Sequence, residues 1–285
     1  MILQKEIVSI AESKKVSKST IDKDWALGHF LDGLYSIPEL RNVLIFKGGT
    51  CLKKCYFPDY RFSEDLDFTS LDSKFELTNA HLKSICDYVA TQAQIATHIV
   101  SLQPLMFKNE LTGFEAVIKF WGADHPRNEA PPSPDRWQTK IKIEIILYEL
   151  LIFPSEMKNI LHSYSDKLSA SSDAVPCYSI NEVLAEKIRA LIQRSYMAPR
   201  DFYDIWYLTI NNKNLDYKAI VAAFHKKLKF KKHEFHSIDQ LINSDNDKAL
   251  QSAWTNSLAH QISVSQLPEY DVVKKELQKL FERIF

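Results

Sequence analysis

The chain lacks a net charge, a membrane-spanning run and any closely paired cysteines. Its 36 basic residues balance 36 acidic ones, which argues against a protein whose whole surface tracks nucleic acid, though a local basic patch remains compatible. No apolar run approaches the roughly 18 residues of a membrane span, and the opening MILQKEIVSI carries no signal-peptide pattern. A cytoplasmic protein without a membrane partner is the expectation. The four cysteines, Cys51, Cys55, Cys86 and Cys177, form no C-x-x-C pair and have no flanking histidine at zinc-ligand spacing. Structural zinc is therefore not expected. Cys51 and Cys55, four apart, should stack on one helix face as small core residues. Internal repeats and low-complexity tracts are also missing.

What is present is an ordinary globular composition, 45% hydrophobic and 25% charged over 285 residues, enough for a substantial core and two domains. The most informative stretch is 44–70. Val43-Leu44-Ile45-Phe46 reads as a short buried strand. Lys47-Gly48-Gly49-Thr50 follow, then a short helix over 51–56 and a Pro-containing loop. In Ser63-Glu64-Asp65-Leu66-Asp67-Phe68 polar and apolar residues alternate. A strand there puts Asp65 and Asp67 on one face and Leu66 and Phe68 on the other. Two adjacent carboxylates repel unless a cation lies between them, and such hard oxygen ligands suit Mg²⁺. The Gly-Gly-Thr turn exposes backbone N–H groups at a helix start, which can cradle phosphate oxygens. Either feature alone is commonplace.

Their ordered combination, strand, Gly-Gly-Thr, helix and a strand bearing Asp-x-Asp, resembles the nucleotidyltransferase superfamily that includes DNA polymerase β and the antibiotic nucleotidyltransferases. Thr50 stands where that superfamily usually has Ser, and the hydroxyl is retained. More narrowly, KGGTCLKKCY…RFSEDLDFT resembles the AbiEii-type toxins, nucleotidyltransferase-like proteins of bacterial toxin–antitoxin and phage-defence systems. The similarity runs collinearly over about 20–210.

The flanks read as follows. Residues 1–40 are expected to be helical, with cap chemistry at Ser19-Thr20-Ile21-Asp22 and apolar positions Ala26, Leu27, Phe30, Leu31 and Leu34 at helical spacing. Asp22-Lys23-Asp24-Trp25 resembles the family's lead-in helix, although packing over the first strand explains it equally well. A helix is expected over 73–96. Residues 114–121 and 138–148 are read as a long hairpin around a flexible, proline-rich tip. Its second strand alternates, placing Ile141, Ile143 and Ile145 toward the core and Lys140, Lys142 and Glu144 away from it. The superfamily carries an acid on a later strand beside the Asp-x-Asp strand. Glu144 matches that position as third metal ligand, although many relatives have Asp; the bland alternative is a strand glutamate paired with Lys142 or Lys119.

Beyond a surface loop at 169–176 the chain reads as helical. Ser179-x-x-Glu182 is a capping-box pattern in which Glu182 caps its own helix. On that helix Ile180, Leu184, Ile188, Leu191 and Ile192 make the apolar face, and Lys187 falls anomalously inside it, where an unpaired charge is costly. Met in its place would be neutral or stabilising if packing were all that mattered. A helix from Ala198-Pro199 carries Asp201 and Asp204, with Arg200–Asp204 a possible local pair. The run E-x-L-A-E-K-I-x-A-L followed by R-D-x-Y-D is similar to two C-terminal motifs of the AbiEii type, a Lys and an Asp needed for activity. They fall at Lys187 and at Asp204 or Asp201. The basic run 225–233, with interleaved aromatics, suits a phosphate backbone but equally a solvated face.

The resemblance implies an α+β nucleotidyltransferase (polymerase β-like) domain over 1–155, a mixed sheet with flanking helices, and a helical domain over 156–285, with NTP–Mg²⁺ held between them. Asp65, Asp67 and Glu144 would hold two metal ions, and Lys47, Gly48, Gly49, Thr50 and Lys187 the triphosphate. The implied reaction moves a nucleoside monophosphate to an acceptor, tRNA 3′ ends first, in a toxin with a cognate antitoxin. Alternatives are a small-molecule or protein hydroxyl as acceptor, or a nucleotide-binding module without turnover.

Overall fold

The computed structural model describes residues 1–126, 128–169, 174–194, 198–242 and 247–285. Two compact units result, Met1–Glu149 with Ser155–Cys177, and Leu150–Pro154 with Tyr178–Phe285. The first opens with α1 (Gln4–Lys14), α2 (Lys18–Tyr35) and α3 (Pro38–Val43). Ser17 accepts from the Thr20 N–H at 3.1 Å, so the cap of α2 lies two residues before the cluster at 19–22. Ala26, Leu27, Phe30, Leu31 and Leu34 are fully buried. The polar residues ahead of them are buried too. Asp22 accepts from the N–H groups of Ala123 and Asp124 at 2.6 and 3.2 Å. Asp24 takes Lys54 Nζ and the Tyr164 hydroxyl, both at 2.7 Å, and Trp25 donates to Asp166. These side chains clasp α2 to distant loops, a structural duty.

Burial pushes the Asp22 carboxyl up to about 7, against the lowering effect of the Ala123 N–H. The folded protein therefore keeps this proton over a range where the unfolded chain has lost it. That stabilisation is full below about pH 4 and is lost as pH rises to about 7. Asp22→Asn cannot titrate. Its Tm relative to wild type is expected to climb by several degrees across that window and then level off. A difference that stays flat from pH 4 to 7.5 in melting experiments would count against the raised pKa.

β1 (Leu44–Lys47) runs into α4 (Gly48–Cys51) and a wider π turn, Leu52–Tyr56; β2 (Asp65–Ser70) then returns antiparallel to β1. After α5 (Asn79–Ala93) come β3 (Ala96–Phe107), β4 (Glu110–Trp121), β5 (Lys140–Ile146), β6 (Glu156–Lys158) and β7 (Val175–Cys177). Among the described residues these form one mixed seven-stranded sheet, ordered β3-β4-β5-β2-β1-β7-β6. The class is α+β, and the expected hairpin is antiparallel β4–β5. Leu66, Phe68, Ile141, Ile143 and Ile145 are fully buried. Phe30 and Tyr35 of α2 cover this face, their rings 6.3 and 6.0 Å from Phe120 and Phe68.

Three features differ from expectation. α5 starts at Asn79 because Thr78 caps it, accepting from the His81 N–H at 3.2 Å while His81 Nδ1 accepts from the Thr78 N–H. β3 was not anticipated. It is an edge strand, where Pro104 and mixed exposure are tolerated and weaken the alternation that would reveal it. The loop at 169–176, of which 170–173 lie outside the described residues, ends in β7. Val175 and Cys177 are fully buried, and β7 pairs parallel with β1 and antiparallel with β6. These last two strands carry the first unit past residue 155.

The second unit is built on α6 (Ile180–Gln193), α7 (Pro199–Asn211), α8 (Tyr217–Phe230), α9 (Asp247–Leu258) and α10 (Tyr270–Ile284). Ser179 caps α6 by accepting from the Glu182 N–H at 3.3 Å. The Glu182 side chain does not cap its own helix. It is fully buried, accepts from the N–H groups of Ile152 and Phe153 at 3.1 and 2.8 Å, and holds Lys227 at 2.6 Å. A carboxylate with three strong partners is better satisfied there than in a solvated first turn. Lys227 also donates to Leu150 O at 2.6 Å, so the middle of the basic run is internal, while Lys226, Lys229 and Lys232 are exposed. Among the described residues no helix is long and apolar enough to cross a membrane.

Candidate active site

Asp65 and Asp67 lie on the side of β2 away from the buried Leu66 and Phe68. Parallel pairing of β2 with β5 sets Asp67 beside Glu144, and Asp65 beside Lys142. Antiparallel pairing on either flank continues the first row: Lys47 of β1 stands beside Asp67, and Glu115 of β4 beside Glu144. Gln103 of β3 closes it, donating to Glu115 at 2.9 Å. Lysine, three carboxylates and an amide thus share one cross-strand row, with Asp65 two residues away on the same face.

This arrangement is short of positive charge. Burial pushes Asp67 up to about 6, and the neighbouring Glu144 charge adds to the effect. Burial also raises Asp65, against the pull of Lys142 and Lys23. Lys142 Nζ lies 3.1 Å from Glu144 and 3.9 Å from Glu115. Burial alone would lower Lys142, yet Glu144, Asp65 and Asp67 together raise it. The donors are hard carboxylate oxygens on neighbouring strands, the set that suits Mg²⁺. In donor chemistry these residues fit a divalent cation.

The glycines set the approach to these carboxylates. Gly48 has φ +78°, and a Cβ there would stand 2.2 Å from Asp67 Oδ2. At Gly49 a Cβ would meet Ser63 Oγ at 2.9 Å and Arg61 Nη2 at 3.0 Å. The Thr50 hydroxyl donates to the backbone oxygen of Asp65, tying the turn to β2. Its backbone N–H lies in the first turn of α4, where N–H groups have no acceptor within the helix.

The remaining expected residues belong to the second unit. Lys187 Nζ lies 3.0 Å from Asp201 Oδ1 and 2.7 Å from Asp204 Oδ2, both carboxylates being buried. Arg194 Nε lies 3.0 Å from the other oxygen of Asp201. The lysine inside the apolar arc of α6 is therefore matched by two acids from α7. Arg200 reaches His260 Nε2 at 3.1 Å, and Asp204 meets Lys187 of the neighbouring helix.

Residues 29–276 match the family described as nucleotidyl transferase AbiEii toxin, of type IV toxin–antitoxin systems. The chain belongs to the AbiEii toxin family. Its fold matches that of MenT4, a nucleotidyltransferase toxin from Mycobacterium tuberculosis H37Rv, at TM-score 0.66 and 17% identity, over 99% of this chain and 89% of that one. An antigenic nucleotidyltransferase-like protein from Paracoccidioides brasiliensis aligns at 13% identity over 86% of this chain and 96% of that one, with a TM-score of only 0.36. No curated protein matches significantly by direct sequence comparison.

Two residues of this AbiEii toxin escaped the sequence reading. Arg61 is buried beside Gly49, and its signal was its place at the head of the RFSEDLDFT motif. Glu115 could have been found from the alternation of β4, had the hairpin register been known. Gly48, which the sequence did single out, carries a prediction. Gly48→Ala must adopt an unfavourable backbone and push Asp67 aside, and a displacement of about 1 Å near reacting groups can cost about a hundredfold. A loss of transfer of that size is expected with the fold retained. Wild-type turnover in a folded Gly48→Ala protein would detach the turn from the chemistry.

Proposed function

We propose that this toxin transfers a nucleoside monophosphate from NTP–Mg²⁺ to an acceptor hydroxyl, with the tRNA 3′ end as acceptor. The observation that carries the reading is the pairing of Asp67 with Glu144 on adjacent strands, with Asp65 on the same face. Asp65, Asp67 and Glu144 would hold the metal ions. Bound there, Mg²⁺ supplies charge neutralisation for the attacking and leaving oxygens of an in-line displacement. Backbone N–H groups of Gly48, Gly49 and Thr50 hold the β- and γ-phosphates, with Lys47 and Lys187 contributing positive charge. Glu144 accepts the proton of the acceptor hydroxyl as its oxygen bonds to the α-phosphorus. The bond to pyrophosphate breaks, and pyrophosphate leaves. Asp201 and Asp204 orient Lys187.

The exposed Lys226, Lys229 and Lys232 suit a nucleic-acid backbone. The family implies a cognate antitoxin; the cytoplasm and phage defence are the setting that fits it. Incubation with each labelled NTP, Mg²⁺ and total RNA tests the whole reading. Label on tRNA, abolished by chelator, and tRNA affinity that falls steeply with salt are expected. Label on a small molecule or protein instead would overturn the acceptor. No label with any NTP would overturn the enzyme.

A further inference from the structure

Cys51, Cys55 and Cys177 come from three places in the first unit: α4, the following π turn, and β7. All three are buried free thiols, and their sulfurs lie within 4.8 Å of one another. Thiolates bound tetrahedrally to zinc at about 2.3 Å stand roughly 3.8 Å apart, so small side-chain adjustments suffice. Lys54 and Lys158 add positive potential beside the Cys55 sulfur. We propose that Cys51, Cys55 and Cys177 form a binding site for a thiophilic d¹⁰ cation, Zn²⁺ or Cu⁺.

The ligand set is soft, unlike the carboxylate row, and so selects a different class of metal. Binding forms metal–sulfur bonds and releases the thiol protons to solvent, with no change of oxidation state. Cu⁺ is satisfied by three thiolates, whereas Zn²⁺ takes a fourth donor. Cys51 directly follows Thr50, and Cys177 pairs in register with Phe46 of β1. An ion here would pin the start of the glycine-turn helix to the neighbouring strand. The bland alternative, three small core residues, predicts no metal affinity and no special proximity of sulfurs.

The test uses the full chain, reduced and stripped with chelator under argon, then titrated separately with Zn²⁺, Cu⁺ and Co²⁺. One equivalent of Zn²⁺ or Cu⁺ is expected to bind and to raise Tm, and Co²⁺ should give near-ultraviolet thiolate charge transfer. That band separates this site from the all-oxygen row. Cys55→Ser and Cys177→Ala should each weaken binding at least tenfold, whereas Cys86→Ser, on α5, should not. The proposal is overturned if reduced wild type binds none of these ions at micromolar concentration. Unchanged affinity in both cluster variants, or two thiols in place of four in the protein as isolated, would overturn it equally.

Discussion

Asp67→Asn is expected to abolish nucleotide transfer while the protein stays folded. Asp67 is the carboxylate with acids on two sides, Glu144 across the strands and Asp65 along its own. An amide keeps its volume and removes the charge that would hold a divalent ion. Losing one metal ligand removes several kcal/mol of transition-state stabilisation, so the rate should fall by about a thousandfold or more. In metal-free protein the same change relieves burial of a charge and repulsion by Glu144, so Tm should hold or rise. The two readouts move in opposite directions, which a merely structural aspartate would not produce. Transfer of label at the wild-type rate by Asp67→Asn would remove these carboxylates from the chemistry.

Lys187→Met has the second large effect, and its sign is the reverse of what the sequence suggests. Without partners, a lysine in an apolar arc is a burden that Met would relieve. Here its ammonium is matched by Asp201 and Asp204, both buried. Removing it takes the ammonium from both acids, 3.0 Å from Asp201 and 2.7 Å from Asp204, while Asp201 keeps Arg194. Breaking a buried pair on one side costs about 3–5 kcal/mol. A Tm drop of about ten degrees or more is expected. Lys187→Met combined with Asp204→Asn should recover much of it, since a buried acid that faced the ammonium is then neutral as well. NTP binding measured on the recovered double variant separates a role toward the triphosphate from this structural one. A single variant that melts within about a degree of wild type would dispose of the buried-pair account.

Much of the first unit was legible because strand periodicity is local. Alternation alone put Asp65 with Asp67 and Ile141 with Ile143 and Ile145, since successive side chains in a strand must point to opposite faces. The helical stripe at Ala26, Leu27, Phe30, Leu31 and Leu34, the Ser179 cap and Pro199 in the first turn of α7 were legible on the same ground. Each depends on residues a few positions apart. Even there, local chemistry misplaced one boundary: the cap of α2 was expected at 19–22, and Ser17 provides it.

Non-local contacts decided the rest. No spacing reveals that β5 lies next to β2, so Glu144 faced Asp67 only by resemblance until the strand order was known. Glu115 joined the row through β4, and Arg61 met Gly49 through the path of a loop. Lys187 looked anomalous because its partners lie on another helix, and Glu182 looked like a cap because Lys227 is 45 positions further along the chain. Cysteine spacing gave no sign that three thiols meet, because Cys177 arrives from a strand more than a hundred residues after Cys55. Sequence by itself determined which side chains each element presents to which face. Tertiary structure decided which faces meet, because burial and charge compensation are satisfied by whatever is near in space, however distant in the chain.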